Sequence, residues 1–171
     1  MDTHRAFVPA KKTWVLCILL VAAVFVLGLC LVLRHTLNTP KPLNAAEYTV
    51  AVPEGFTYTV SATAQNGVLV FTGWDLVQGT RFYDVNNWLV LYDVAEDTYT
   101  RIPTQMNIDD AATQAIGDGI NYSFGGFYAA VAEKKLPAGA RAFELCFAVS
   151  SKDQNTAYLI HTGKTVAEVL V

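Results

Sequence analysis

The chain has 171 residues, room for one ordinary domain and a tail, and 53% of them are hydrophobic. Residues 1–43 carry five basic side chains against one acidic, and residues 44–171 carry seven against fourteen. An acidic body of this kind excludes a nucleic-acid partner, because phosphates would be repelled. With Cys146 the one cysteine beyond residue 30, it also excludes an internal disulfide in that body.

Residues 1–13 read as a short cytoplasmic N-terminus. The apolar excess is concentrated in Trp14–Leu33, twenty residues with no charge and no proline. As a helix they reach about 30 Å, the thickness of a bilayer's hydrocarbon core, so the segment reads as one transmembrane helix in contact with lipid. Arg5, Lys11 and Lys12 before it outweigh Arg34 and Lys41 after it, which sets the N-terminus in the cytoplasm and the C-terminal body outside. The run is longer than the roughly 7–15 apolar residues of a cleaved signal peptide, and a retained anchor is expected. Residues 34–46, with Pro40 and Pro42 among polar side chains, read as a semi-extended stalk.

From residue 47 to 171 the hydrophobic period is two. Tyr48, Val50 and Val52 alternate with smaller residues, then Phe56, Tyr58 and Val60 do the same. Asn66-Gly67 is a favoured hairpin corner, and Val68–Trp74 reads as the returning strand. Trp88–Val94 and Thr98–Ile102 follow around Ala95-Glu96-Asp97. The stretch after Pro103 is irregular, except that residues 109–116 suit two helical turns opened by a carboxylate and closed by Gly117. Strands are expected again at Tyr122–Val131, Arg141–Ser150, Asn155–His161 and Thr165–Leu170, the last two separated by a turn at Thr162-Gly163-Lys164. Eight or nine short strands with little helix predict an all-β, antiparallel two-sheet sandwich of immunoglobulin-like architecture behind the membrane helix. A small barrel is the alternative.

Few residues suit catalysis. Beyond residue 43 there is one histidine, His161, and one cysteine, Cys146. They are the material for an envelope enzyme, with carboxylates as the alternative, but no serine lies in a nucleophile elbow. Zinc has few His and Cys ligands here. Asp109, Asp110, Asp118 and Asn121 share one loop and form the candidate calcium set, without EF-hand spacing. The aromatics are more suggestive. Sugar rings stack on exposed aromatic faces while Asp and Asn bind hydroxyls, so Trp74, Arg81, Tyr83, Asp84, Asn86 and Trp88 are the candidate glycan-binding edge. The alternative for the two tryptophans is core packing. No cofactor is expected.

Phe71-Thr72-Gly73-Trp74 followed by Trp88-Leu89-Val90-Leu91-Tyr92, then Gly126-Phe127-Tyr128-Ala129, the turn Leu136-Pro137-Ala138-Gly139 and the strand Phe143–Val149, form a recognisable order. It resembles small β-sandwich, Ig-like extracytoplasmic domains of membrane-anchored envelope proteins in Gram-positive bacteria, some linked to polysaccharide-building machinery. The resemblance covers residues 56–162. Met106-Asn107-Ile108-Asp109 stands where such domains carry an Arg-Asp-Val strand end, so no binding residue is carried over. The resemblance implies fold and location. The chain is therefore expected to be an anchored, non-enzymatic binding module of the cell envelope. Its partner would be cell-wall glycan or a neighbouring membrane protein, and a structural accessory subunit is the alternative.

Overall fold

The computed structural model describes residues 12–80, 85–151 and 156–171, and divides the chain into an N-terminal helix and a folded unit, Asn38–Val171. Helix α1, Lys12–Leu37, has no buried residue. It outlasts the apolar run by two residues at its start and four at its end, where Thr36 Oγ donates to the Val32 carbonyl. The helix is long and apolar enough to cross a membrane.

The folded unit is two antiparallel sheets. Strands β1 (Lys41–Pro42), β5 (Thr98–Arg101), β4 (Val85–Asp93), β8 (Glu144–Ser151) and β9 (Thr156–Thr165) lie side by side in that order. The second sheet has the order β2 (Phe56–Gln65), β3 (Val68–Val77), β7 (Gly126–Ala132) and β6 (Thr104–Asn107). The β2–β3 corner is the expected one: Asn66 and Gly67 both take positive φ, 52° and 72°, as a two-residue turn of that hand requires. Leu69, Phe71, Phe127, Val131, Leu89, Leu91, Leu145 and Phe147 alternate inward from both sheets and form the main core. At Gly73 the strands leave no room for a side chain, since an added Cβ would lie 2.0 Å from the Thr59 carbonyl oxygen.

Several sequence expectations are corrected. Residues 38–46 belong to the folded unit, and Lys41 and Pro42 pair with Arg101 and Thr100, where a stalk was expected over 34–46. Residues 48–52 form no strand. The chain leaves β5 at Leu43, whose amide donates to the Tyr99 carbonyl, and reaches the opposite edge at Val50, whose amide donates to Ala157. Between these points Leu43 and Tyr48 pack on Val90, Cys146 and Ala148, so this segment straps the outer face of the five-stranded sheet. Strand β6 was missed because Pro103 breaks the run. Ile102 is still tied to β4 through Leu89, and the chain then crosses to the other sheet.

The expected turn at 162–164 is a bulge inside β9. Cys146 pairs with His161 and Glu144 with Thr165, so β9 carries two extra residues there, with Gly163 at φ 68°. In place of a last strand, Thr165 caps helix α3, Val166–Val169. Its side chain accepts from Glu168 N, while Glu168 Oε2 accepts from Thr165 N at 2.6 Å. This box holds the buried Val166 and Val169 on the core. Thr165→Ala is expected to lower unfolding free energy by about 1 kcal/mol. A denaturant titration checks this, and an unchanged midpoint would deny the cap any role.

Candidate functional site

The alternation along β3 carries an anomaly. Leu69, Phe71, Gly73 and Val77 face the core, and Asp75 is in phase with them, 7% exposed. On β4 the inward set Val85, Leu89 and Leu91 includes Asn87, 4% exposed. The two polar side chains meet across the sheets, with Asn87 Nδ2 donating to Asp75 Oδ1. Burial raises the Asp75 carboxyl to about 7, only partly opposed by that hydrogen bond. Asn87 Oδ1 is left buried with no donor. Thr156 Oγ1, two cross-strand rows further toward the same end, is also without a partner. An orphan acceptor costs about 1–3 kcal/mol, so a fold that retains one requires a reason.

The pair sits in a pocket of about 400 Å³ at that end of the sandwich. Phe56, Leu76, Val85, Val149 and Tyr158 supply apolar wall, and Phe124 stands at 62% exposure beside it. The Tyr158 hydroxyl is pushed up to about 12 by burial and then by the charge of Asp75. Tyr122 fixes another wall: its hydroxyl donates to Asp118 Oδ2 at 2.6 Å and accepts from Gly79 N at 2.7 Å. A cleft with apolar walls and a convergent polar pair at its base is the ordinary form of a small-molecule site, and its volume lies in that range.

The described sequence candidates, Trp74, Asn86 and Trp88, do not line this pocket. Arg81, Tyr83 and Asp84 fall outside the described residues. Trp74 is buried, but outside the main core, in a satellite cluster with Leu76, Ala112 and Tyr122. Asn86 and Trp88 face outward on β4, and the Arg101 guanidinium lies 4.7 Å from the Trp88 ring centre. Trp74, Asn86 and Trp88 are thus one residue out of phase with the pocket. Asp75 and Asn87 were missed, although a carboxylate in register with Leu69 and Phe71 is a signal the sequence offers.

The acidic loop supports itself. Helix α2, Ala111–Ile116, is closed by Gly117 as expected, but Asp109 rather than Asp110 caps its first turn, accepting from Ala111 N. Asp110 and Asn121 both accept from Ser123 Oγ, and Tyr122 and the Ile120 amide hold the Asp118 carboxyl below its usual range. Among the described residues, these carboxylates do not gather around a common point as metal ligands would.

The outer face of the five-stranded sheet does gather donors. Cys146 Sγ lies 3.5 Å from His161 Nδ1, and Glu144 Oε2 lies 3.2 Å from the same nitrogen. A relay needs the nucleophile and the orienting carboxylate on opposite ring nitrogens of the histidine base, and here both approach Nδ1. Burial and the charge of Glu144 both push the Cys146 thiol up, away from the reactive thiolate. No known family, curated protein or solved structure matches the chain, so the geometry carries the functional reading by itself.

Proposed function

We propose that the chain is a membrane-anchored binding module whose β-sandwich lies outside the cytoplasm and takes a hydroxyl-bearing ring, such as a sugar residue of an envelope glycan, in its end pocket. The observation that carries this reading is the buried Asp75–Asn87 pair at the pocket's base, with one acceptor unfilled. A sugar hydroxyl donates to Asn87 Oδ1 and accepts or donates at Asp75, while the apolar walls and Phe124 cover the ring's C–H faces. The apolar α1, with none of its residues buried, supports the anchor. The basic residues ahead of it support the orientation.

Calorimetric titration of the full chain in detergent micelles against a saccharide panel tests the reading. At least one saccharide should bind. Asn87→Leu should weaken it by about tenfold or more, the loss of one well-made buried hydrogen bond. Trp88→Ala and Asn86→Ala, on the opposite face of β4, should change it little. If no saccharide binds, or if only Trp88→Ala abolishes binding, the pocket is not the site. A second reading, an accessory subunit docking a neighbouring membrane protein, is favoured by the exposed Phe124 and Met106 at the pocket wall. Copurification with one membrane partner and no saccharide retention would support it.

A further inference from the structure

Glu144, Cys146 and His161 each direct one donor atom to a common point on the outer face of the five-stranded sheet, all within 4.8 Å of one another. Three features of the fold bring them there. Glu144 and Cys146 are two residues apart on β8 and so share a face. Cys146 pairs directly with His161 across β8 and β9. The bulge in β9 then turns the Gly163 amide onto Glu144 Oε1 at 2.8 Å, which leaves Oε2 aimed at His161.

The two spacings to His161 Nδ1 suit a metal ion. Zinc bonds of about 2.3 Å to sulfur and 2.0–2.2 Å to nitrogen or oxygen, set at tetrahedral angles, separate sulfur from nitrogen by about 3.6 Å and nitrogen from oxygen by about 3.4 Å. The observed separations are 3.5 and 3.2 Å. The ligands are also held from behind. His161 Nε2 lies 3.5 Å from the Tyr99 hydroxyl, a partner for Nε2–H in the tautomer that presents Nδ1 to a metal. The His161 ring stands edge-on to Tyr92 at 5.1 Å, and Tyr92 stacks on Tyr99 at 4.4 Å.

We infer that Glu144, Cys146 and His161 form a binding site for one borderline-soft divalent cation of the zinc class. The Cys146 thiol loses its proton to solvent as the sulfur–metal bond forms. One carboxylate and one thiolate then balance the ion's two charges. The His161 side chain is 42% exposed, so the fourth position opens outward to water or to a donor from a partner. The site is on the opposite side of the sheet from the Asp75 pocket and stands or falls independently of it.

Co²⁺ is the probe, added to the reduced full chain in detergent micelles with Cys17→Ala and Cys30→Ala as background. One equivalent should give a thiolate-to-cobalt absorption band in the near ultraviolet with tetrahedral bands in the visible, and Zn²⁺ should displace both. Cys146→Ser should abolish the thiolate band. Glu144→Gln, which keeps an oxygen to accept from Gly163, and His161→Gln, at the more exposed position, should each weaken Co²⁺ by roughly tenfold or more. The inference is overturned if folded protein gives no thiolate band at saturating Co²⁺. It is equally overturned if the band survives Glu144→Gln and His161→Gln with affinity unchanged.

Discussion

Asp75→Asn is expected to make the folded unit more stable at neutral pH and to weaken ligand binding at the same time. The carboxyl is raised from 3.8 to about 7, so the fold prefers it protonated. That preference stabilises the fold fully below pH 4 and is lost as pH rises through 7. The loss is on the order of 4 kcal/mol at the extreme, since each pKa unit is worth about 1.4 kcal/mol. An amide at position 75 cannot ionise, so the cost of burying a charge falls away, and it brings an N–H donor to the side of Asn87. Urea titrations from pH 4 to 8 should show the wild-type chain losing stability relative to Asp75→Asn by a few kcal/mol. The same change should weaken saccharide binding by about tenfold to a hundredfold, as expected for a lost hydrogen bond to a charged group. Stability gained and affinity lost in one substitution is the mark of a binding residue. If Asp75→Asn instead destabilised the fold at every pH, the pair would be structural.

The second large effect concerns α1. Leu20→Arg together with Val24→Arg puts two charges on one face near the middle of the helix, where both side chains are now exposed and apolar. On the proposed reading each charge opposes insertion by about 2.5–3.5 kcal/mol. The double variant should move from the membrane pellet to the aqueous fraction after alkaline extraction, while the wild-type chain stays in the pellet. If the wild-type chain were itself extracted, the proposed anchor would be lost. The folded unit would be unaffected, because its core is drawn entirely from residues beyond α1.

The two antiparallel sheets were legible because strand-length alternation and turn chemistry agree over most of the chain. Asn66-Gly67 and Gly117 each take the left-handed backbone their residue types favour. What escaped was decided by tertiary context. Tyr48, Val50 and Val52 alternate like a strand, yet the segment crosses β5, β4, β8 and β9 instead of pairing along one of them, and alternation alone cannot distinguish the two. Gly163 reads as a turn, but the bulge absorbs it and β9 continues. The pocket was missed for a question of phase. Trp74, Asn86 and Trp88 attract attention as sugar binders, and the residues after Trp74 and Asn86, namely Asp75 and Asn87, are the ones pointing inward. The Cys146–His161 approach needed the strand register, which spacing in the sequence does not give.

The central claim, a buried carboxylate poised at the base of a ligand pocket, is met most directly by carbon-13 NMR titration of the Asp75 carboxyl in the full chain. It would be followed alone and with a saccharide from the panel at saturation. A midpoint of about 7 is expected in the free protein, and a displaced midpoint once the saccharide is bound. A midpoint near 4 that ignores every saccharide offered would contradict it.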